Sequence, residues 1–343
     1  MARFISSRAL TFDDVHLVPQ YSEIESRKTD VDLSVSLNNS EIVLKTPFIA
    51  SPMDTVSGPE MAIAIQKEAG GLAILHRYCP IVNHADSVRR VVSSGASVGG
   101  AIGVNGDYLE RAEALVEAGA GVICVDVAHG HHSLMRQALT VLRSKFPKVH
   151  IMAGNVATIE GFNALSDWGA DSVRLGVGGG SICETRIKTG HGYPMLQNIL
   201  DVSTSSRRSQ LISDGGIKQY GDIVKALAAG ANLVMMGSMF SGTDQSPGQL
   251  IETDRGLGKI YRGMASKESQ IEWRGYYASS EGISTTVPYK GSVKDILADM
   301  QNAVSSGFSY SGARNQRELR EKAVFVEVSS ASAIEATTHI LRP

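Results

Sequence analysis

Eight short apolar runs recur along the chain, each followed by a glycine-rich or polar turn and, in most cases, by a helical pattern. The runs are mostly β-branched or aliphatic and do not alternate with polar residues, which is typical of parallel strands buried on both faces. They span Pro47–Ala50, Gly71–Leu75, Ser97–Val104, Gly121–Val127, Val149–Ala153, Ser172–Val177, Gln210–Ser213 and Asn232–Met236. The clearest helical segments between them are Asp107–Ala118, Ser133–Lys145, Ile159–Trp168 and Gln219–Ala229. Repeated strand–helix units predict an α/β fold, a (β/α)8 TIM barrel with right-handed crossovers.

An open, doubly wound sheet is the alternative for the same order of elements. No GxGxxG turn stands between an early strand and a helix, so a dinucleotide site of that fold has no support in the sequence. No Pro-rich or charged linker divides the chain, and we expect one domain over residues 1–343. Within this domain we expect a flap at 263–282, where polar and aromatic residues interrupt the repeated strand–helix pattern. We also expect a C-terminal tail at 310–343. A surface excursion or a subunit contact is the other interpretation of 263–282.

Charge and composition exclude several classes of protein. The chain has 33 Lys and Arg against 35 Asp and Glu, and this near-neutral balance argues against a nucleic-acid or membrane-surface protein. A hydrophobic content of 43% is enough for a sizeable core and excludes a disordered chain. No apolar stretch approaches the length of about 18 residues that a membrane span needs, and the first residues contain no apolar signal core. We therefore expect a cytoplasmic protein whose three cysteines form no disulfide framework.

Active sites of such barrels lie on the loops at the carboxyl ends of the strands, and polar or glycine residues follow most of the runs. The loops after the seventh and eighth strands are the usual phosphate position. There, Gly215-Gly216 and Gly237-Ser238 would let main-chain N–H groups approach an anion. Asp214 lies beside them, and a carboxylate suits the two hydroxyl donors of a ribose. A nucleoside monophosphate satisfies both features, whereas tight turns alone are the alternative explanation of the glycines.

Cys183 is the cysteine most open to a chemical role. It follows a loop with glycines at 176, 178, 179 and 180, which could wind around a ligand or offer carbonyls to a cation. A free thiol needs help to become a nucleophile, and Arg186 or neighbouring N–H groups could favour its thiolate. Cys124 lies inside an apolar run and is expected to pack in the core, while Cys79 has no assigned role.

Histidines cluster just after the fourth apolar run, at His129, His131 and His132. A metal site is one interpretation of this cluster. The spacing matches no zinc pattern, and no HExxH or CxxC motif accompanies it, so a polar loop is the favoured interpretation.

Six ordered stretches resemble the IMP dehydrogenase/GMP reductase family, and the resemblance covers nearly the whole chain. The stretches are Leu10–Val15, Ser51–Val56, Met152–Thr158, Gly180–Cys183, Ser213–Gly216 and Tyr261–Met264. The family implies a barrel that holds a purine nucleoside monophosphate, GMP or IMP, with its C2 atom against a cysteine. Both branches of the family pass through a covalent adduct at C2. Dehydrogenases then oxidise IMP to XMP with NAD, whereas reductases convert GMP to IMP and ammonia with NADPH.

The resemblance also implies a role for individual residues. The catalytic residues it implies are Cys183, Thr185 and Glu281. The substrate-binding residues are Ser51, Ser181, Asp214, Gly215, Gly216, Gly237, Ser238, Arg262, Gly263, Met264 and Gly282. The cofactor-binding residues, for NADPH with NADH or NAD as alternatives, are Asp126, Val127, Ala128, Asn155, Gly176, Tyr277, Ser311, Gly312 and Ala313. A monovalent cation such as K⁺ would bind at Gly178, Gly180, Cys183 and Arg186, and the family implies a homotetramer.

Three features favour the reductase branch. The usual dehydrogenase carries a tandem pair of CBS domains after the second strand, whereas residues 76–97 here hold only one helix. The dehydrogenase also needs a long mobile flap with an adjacent Arg-Tyr pair that activates water. The route from Gly263 to Glu281 is short and has Arg274-Gly275-Tyr276 instead. The tail that begins at Tyr310 resembles the reductase tail, so we expect a GMP reductase.

Three departures from the family pattern keep other functions open. Glu184 places an extra carboxylate next to the nucleophile, where the family has threonine. The flap reads Tyr277-Ala278-Ser279 and lacks an arginine that would pair with the 2′-phosphate of NADPH. His129 stands where reductases commonly have asparagine. The alternatives are an IMP dehydrogenase that lacks CBS domains and has a shortened flap, and a nucleotide-binding regulator that has lost catalysis.

Overall fold

A closed barrel of eight parallel strands forms the centre of the computed structural model, which describes residues 8–254 and 256–336. In chain order the strands are β1 (Phe48–Ala50), β2 (Leu72–Leu75), β3 (Gly99–Ile102), β4 (Val122–Asp126), β5 (His150–Val156), β6 (Ser172–Leu175), β7 (Gln210–Asp214) and β8 (Leu233–Met236). The barrel closes because β8 pairs with β1, with Met235 opposite Ile49. The predicted (β/α)8 barrel is confirmed, and each apolar run overlaps one of its strands.

Two strands extend past their predicted ends, and both extensions carry candidate site residues. β5 runs to Val156 rather than ending at Ala153, with an irregularity between Gly154 and Val156 where it pairs with β6. A bulge of this kind bends a strand and re-aims a side chain. β7 runs through Asp214, which pairs with Met235 of β8. Main-chain pairing sets these ends, and the residue types alone do not reveal it.

Helices lie between the strands and cover the outside of the barrel. They are α1 (Pro59–Ala69), α2 (Ile81–Ser93), α3 (Tyr108–Glu117), α4 (Ser133–Lys145), α5 (Ile159–Asp167), α6 (Met195–Val202), α7 (Tyr220–Ala229) and α8 (Val293–Tyr310). Pro59 opens α1, where a missing N–H costs nothing, and Gly70 ends it in the left-handed conformation. The Thr158 side chain accepts a hydrogen bond from the Gly161 N–H and so caps α5. The four helical segments predicted from the sequence correspond to α3, α4, α5 and α7.

Apolar residues form one layer inside the barrel and another between the barrel and its helices. The inward-facing residues are Ile49, Leu72, Ile74, Ala101, Val122, Cys124, Met152, Ile212, Leu233 and Met235. The hairpin of Val35–Ser36 and Val43–Leu44 packs against this inner layer. Cys124 is fully buried there, and burial raises the pKa of its thiol to about 12. It therefore packs in the core, as the sequence predicts.

An antiparallel sheet follows β8 and carries the segment interpreted as a flap. Its strands are Ile251–Thr253, Gly256–Arg262 and Ser284–Pro288. Residues 263–282 connect the last two strands and include the helix Lys267–Arg274. Both ends of the flap segment are therefore fixed by one pair of hydrogen-bonded strands.

The two ends of the chain meet in a second small sheet, in which Val15–Leu17 pairs with Phe325–Glu327. The strand Val15–Leu17 follows a 3₁₀ turn at Phe12–Asp14, and the predicted tail at 310–343 is described as far as residue 336. The remaining helices are Thr185–Thr189, Gln316–Lys322 and Ser330–Glu335. Within residues 8–254 and 256–336, every helix is too short or too polar to cross a membrane.

Candidate active site

The loop that carries Cys183 winds tightly against the end of β7. Gly176 and Gly178 have φ angles of 140° and 74°, a region that favours glycine. A Cβ at Gly176 would lie 2.1 Å from the main-chain oxygen of Asp214, and one at Gly178 would lie 2.5 Å from Cγ of Arg186. Any side chain at either position would displace the loop. The glycines therefore hold Cys183 at the carboxyl end of the barrel.

The predicted catalytic residues lie in one line of hydrogen-bonding contacts, which we call the relay: Cys183, Thr185 and Glu281. Sγ of Cys183 lies 3.1 Å from Oγ1 of Thr185. The same hydroxyl donates to Oε2 of Glu281 over 2.8 Å. All three side chains are half-buried. The contacts connect a thiol, through a hydroxyl, to a carboxylate that can take up or release a proton.

Main-chain bonds position Glu281 although it lies 96 residues after Thr185 in the chain. The Glu184 N–H donates to the Glu281 carbonyl over 2.7 Å, and the Ile283 N–H donates to the Ile182 carbonyl over 3.1 Å. Gly282, which lies between Glu281 and Ile283, forms an isolated antiparallel β-bridge with Cys183. A Cβ at Gly282 would lie 3.4 Å from the Ile182 carbonyl oxygen and 3.5 Å from Cα of Gly263, so the flap backbone packs at van der Waals distance against the cysteine loop. Main-chain hydrogen bonds between the flap and the cysteine loop therefore place the Glu281 carboxylate next to Thr185.

Hydroxyl groups from two loops and from the strand Gly256–Arg262 meet beside β8, and we call them the hydroxyl cradle: Ser51, Ser181 and Tyr261. Oγ of Ser181 lies 3.3 Å from the Tyr261 hydroxyl. A Cβ at Gly237 would lie 3.0 Å from the same hydroxyl and 3.8 Å from Oγ of Ser51. Burial raises the pKa of Tyr261, which keeps its hydroxyl protonated as a donor. Neutral donors next to main-chain N–H groups suit a phosphate.

Two carboxylates at the carboxyl ends of β4 and β7, which are not adjacent in the barrel, share one buried arginine on β6. We call this group the rim network: Asp126, Asp214, Arg174 and Asn155. Nη1 of Arg174 lies 2.5 Å from Oδ1 of Asp126, and its Nη2 lies 2.8 Å from Oδ2 of Asp214. The amide of Asn155 also donates to Oδ2 of Asp214 over 2.8 Å. Burial alone would lower the pKa of Arg174, but Asp214 and Asp126 raise it well above its ordinary value. A buried arginine thus fixes the predicted ribose ligand and the predicted cofactor ligand together.

Arg174 and Tyr261 belong to the site, yet the sequence does not identify either as a site residue. Arg174 is the charged residue inside the sixth apolar run, and a buried charge needs a partner. That charge in an apolar strand is the signal that could have found it. Tyr261 opens the stretch Tyr261–Met264, so the family motif already contained it.

Arg262 follows Tyr261, but its guanidinium is already bound by protein carboxylates. Nε and Nη2 donate to Oδ2 of Asp54 over 2.8 and 2.5 Å, and Nη1 lies 2.6 Å from Oε2 of Glu272. Its side chain joins the first barrel loop to the flap helix rather than facing the hydroxyl cradle. Next to it, Sδ of Met264 accepts a bond from the Asp54 N–H over 3.3 Å. The substrate roles of Arg262 and Met264 stay predictions.

The flap helix also rests on the loop after β2. The rings of Trp273 and Tyr78 stack with centroids 5.9 Å apart. The guanidinium of Arg111, buried below, lies 6.0 Å from the Trp273 ring centroid. Arg111 is held by Asp107, by the Cys79 carbonyl and by a contact with His84. These aromatic and cationic contacts dock the flap on the barrel.

The residues predicted to bind the cofactor fall into two places. Next to Asp126, the Asn155 N–H donates to the Val127 carbonyl over 2.8 Å, and the Val127 N–H donates to the Gly154 carbonyl over 3.0 Å. The exposed Ala128 follows Val127, and the carbonyl of Gly176, just after β6, accepts a bond from the Asn155 side chain over 2.9 Å. The second place is the end of α8, where a Cβ at Gly312 would touch the main chain of Tyr21. Ser311 and Ala313 are buried at that corner, and Tyr277 lies exposed on the flap. The structure does not bring this second group to the relay.

Protein donors already bind carbonyl oxygens in and beside the loop predicted to bind a cation. The Gly180 carbonyl accepts a bond from the Cys183 N–H over 3.2 Å, and Arg186 donates to the Tyr193 carbonyl over 2.9 Å. Carbonyl oxygens are donors for hard cations. Elsewhere in residues 8–254 and 256–336, no three His, Cys, Asp or Glu side chains converge as metal ligands would.

Comparisons with known proteins point to one family. Residues 9–339 match the family model described as the IMP dehydrogenase / GMP reductase domain. The inosine-5′-monophosphate dehydrogenase of Nitrosopumilus maritimus is 31% identical over 468 aligned positions, which cover 96% of this chain and 98% of the relative. The Aquifex aeolicus dehydrogenase is 32% identical over 469 positions, covering 96% and 95%. Because this chain has 343 residues, at least 125 of the 468 positions face gaps in it.

A solved structure is similar over the whole barrel and its additions. It is a cysteine-to-alanine variant of GMP reductase from Trypanosoma brucei in complex with guanosine 5′-monophosphate. The TM-score is 0.91 at 28% sequence identity, and the match covers 98% of both chains.

Proposed function

The chain belongs to the IMP dehydrogenase/GMP reductase family, and within it we propose that this enzyme is a GMP reductase. The proposed reaction converts GMP, NADPH and two protons into IMP, ammonium and NADP⁺. The relay is the observation that carries this proposal. Nucleophilic attack at C2 needs a thiol, and protonation of a leaving amine needs a proton donor, which the hydroxyl and the carboxylate supply. The likeness to a GMP reductase that holds GMP supports it.

The nucleotide is held at three points in this proposal. The hydroxyl cradle and the N–H groups of Gly237 and Ser238 bind its phosphate. Asp214 accepts hydrogen bonds from the ribose hydroxyls, with its carboxylate oriented by Arg174. These contacts place C2 of the purine against Cys183. The phosphate and ribose contacts fix the nucleotide, so the base has one orientation toward the thiol.

The relay supplies the nucleophile that attacks C2 and the proton that the leaving amine takes up. The Cys183 thiolate attacks C2, and the S–C2 bond forms as the bond from C2 to the exocyclic amine breaks. Glu281, through the Thr185 hydroxyl, delivers the proton with which the amine leaves as ammonia. NADPH, when bound, supplies a hydride to C2. Breakage of the S–C2 bond then releases IMP and returns the thiolate.

Asp126 fits the carboxamide end of a nicotinamide nucleotide. Its Oδ1 is bound to Arg174, yet 22% of its side chain stays exposed, so an amide N–H can still reach it. Val127, Ala128, Asn155 and Gly176 lie beside it. NADPH is the proposed donor, with NADH as the alternative that a cofactor comparison tests. A potassium ion is proposed at the carbonyls of Gly178, Gly180 and Cys183, next to Arg186.

An IMP dehydrogenase without CBS domains is the second candidate function. The dehydrogenases that are 31% and 32% identical to this chain favour it, as does His129. Residues 275–280, between the flap helix and Glu281, argue against it because they contain no adjacent Arg-Tyr pair to activate water.

Absorbance of the reduced nicotinamide distinguishes these functions. The reductase consumes NADPH in the presence of GMP and releases ammonia, while the dehydrogenase forms NADH from IMP and NAD. Tight nucleotide binding with no hydride transfer in either direction would instead indicate a regulator that has lost catalysis. Formation of NADH from IMP, with no consumption of NADPH with GMP, would overturn the reductase.

We also propose a homotetramer, since exposed apolar side chains lie at two separate sheets. One group, where the chain ends meet, contains Val18, Tyr21, Tyr310, Val324 and Val326. The sheet that carries the flap also exposes apolar side chains, with Leu257 and Ile260 on opposite faces of one strand. Two different surfaces on one chain suit a head-to-tail ring. Light scattering after size-exclusion chromatography tests it, and a monomer at micromolar concentration would contradict it.

A further inference from the structure

Lys290 places its ammonium group on the outer side of the loop that follows β8. Its Nζ donates to the Ser238 carbonyl over 2.6 Å and lies 3.5 Å from the Met239 carbonyl. Among the described residues, no carboxylate lies within ion-pair distance of it. This cation is thus directed at main-chain oxygens alone.

Main-chain bonds fix Lys290 relative to this loop. Its N–H donates to the Gly242 carbonyl over 2.8 Å, and the Asp244 N–H donates to the Gly291 carbonyl over 2.9 Å. The preceding residue, Tyr289, donates to the Leu257 carbonyl. The ammonium group is therefore held against the loop by the packing of the adjacent sheet.

Residues 237–241 form one helical turn with its free N–H groups on the opposite side. The Gly237 carbonyl accepts bonds from both Phe240 and Ser241 N–H groups over 3.1 Å. Within residues 8–254 and 256–336, the N–H groups of Ser238 and Met239 have no protein acceptor. In a trans peptide the N–H points opposite to the C=O. Since Lys290 binds the Ser238 carbonyl, the Met239 N–H of the same peptide points away from it.

The hydroxyl cradle contains no cationic side chain of its own. Ser51, Ser181 and Tyr261 are neutral, and among the described residues Lys290 is the cation that hydrogen-bonds to the loop beside them. A phosphate monoester carries nearly two negative charges at neutral pH. The positive charge of Lys290 thus reaches this loop through a peptide dipole rather than by direct contact with the cradle.

We propose that Lys290 is a positioning residue for the nucleotide phosphate, which holds the carbonyls of residues 238 and 239 so that the N–H groups of this turn face the phosphate. The proposal rests on the proposed function, because it takes the hydroxyl cradle as the phosphate site. Lys290 is an exposed residue, and desolvation where its ammonium group meets the loop lowers its pKa.

The test compares GMP with guanosine, which lacks the phosphate, by calorimetry on the full chain. Lys290→Met should weaken GMP binding about fivefold and leave guanosine binding unchanged. Lys290→Arg, which keeps the charge, should restore most of the GMP affinity. Lys290→Gln keeps a donor but removes the charge and should behave like Lys290→Met. Lys294→Met, an exposed lysine of α8, is the matched control and should bind both ligands as the wild type does.

The outcomes separate the two proposals. Equal weakening of GMP and guanosine, or full GMP affinity in Lys290→Gln, would overturn the role of Lys290. If the wild type prefers GMP over guanosine but converts neither GMP nor IMP, the reductase fails while the role of Lys290 stands. If the wild type shows no preference for GMP over guanosine, both fail.

Discussion

Arg174 and Glu281 both hold a charge at the carboxyl end of the barrel, yet their surroundings differ. The Arg174 side chain is 6% exposed and binds two carboxylates, one at the end of β4 and one at the end of β7. Glu281 is half-buried on a flap, and its one side-chain bond in the described structure goes to Thr185. The rim network is thus built into the strands, whereas the relay is assembled across loops. The residues proposed to orient ligands are therefore enclosed by the barrel, and those proposed to move protons are more exposed to solvent.

Loss of the nucleophile gives the largest expected effect and tests the relay side of this comparison. Cys183→Ala should reduce turnover by at least about 10³-fold, because no other thiol reaches C2. GMP binding should remain, since the hydroxyl cradle and Asp214 are unchanged. Turnover and GMP titration measure the two effects. Cys79→Ala is the control, and turnover by Cys183→Ala near the wild-type rate would exclude the covalent mechanism.

Removal of the relay carboxylate should slow chemistry without unfolding the protein. Glu281→Gln keeps the size of the side chain and should lower kcat by about 10²–10⁴-fold, the usual contribution of a general acid. KM for GMP should change little, because the carboxylate does not hold the phosphate or ribose. Glu268→Gln, an exposed carboxylate on the same flap, should have no effect. A change confined to KM would assign Glu281 to binding instead.

The rim network should respond in the opposite way, through stability. Arg174→Met leaves Asp126 and Asp214 without their shared cation, and the free energy of unfolding should fall by about 3–5 kcal/mol. Urea denaturation measures it. Arg207→Met, which removes an exposed partner of Asp167, should leave the midpoint nearly unchanged. Equal midpoints for the two variants would show that the rim network is not a structural centre.

Acid should weaken the support of the flap, which gives the smallest expected effect. Burial, and then the charge of Arg111, lowers the pKa of His84 to about 3, so this ring stays neutral in the folded protein. In the unfolded chain its pKa is about 6.5. Unfolding therefore takes up a proton below that value, and stability is lost as pH falls from 6.5 toward 3.

Between pH 6.5 and 5 the loss from His84 should be roughly 2 kcal/mol. Urea midpoints at the two values measure it for wild type and for His84→Gln, which should show a smaller pH dependence. His131→Gln, on an exposed ring, is the matched control. An unchanged pH dependence in His84→Gln would remove this residue as its source.

The strands of the barrel were predictable because burial on both faces leaves a visible mark in the sequence. Apolar runs that do not alternate with polar residues located all eight strands of the barrel. Glycines at 176 and 178 indicated a loop that can wind tightly, and both have positive φ angles. The relay was found through the family motifs rather than from spacing. Thr185 and Glu281 are 96 residues apart, and the main-chain bonds between the flap and the cysteine loop bring them together.

The roles of Arg174 and Arg262 could not be predicted from the sequence, because they depend on where each side chain points. Arg174 lies in an apolar run, and its role depends on facing the barrel interior at the height of Asp126 and Asp214. Arg262 lies in a motif expected to bind substrate, but Asp54 and Glu272 occupy its guanidinium. The partners that decide both cases lie on other elements of the fold, so the local sequence contains no sign of them.

The hydroxyl cradle has a consequence for how the proposed enzyme responds to its own product. Ser51, Ser181 and Tyr261, together with Asp214, would contact the phosphate and ribose, which GMP and IMP have in common. Substrate and product therefore compete for one set of contacts and differ only at C2. IMP should inhibit competitively with an affinity close to that of GMP. The rate of such an enzyme then follows the ratio of the two purine nucleotides rather than the amount of either.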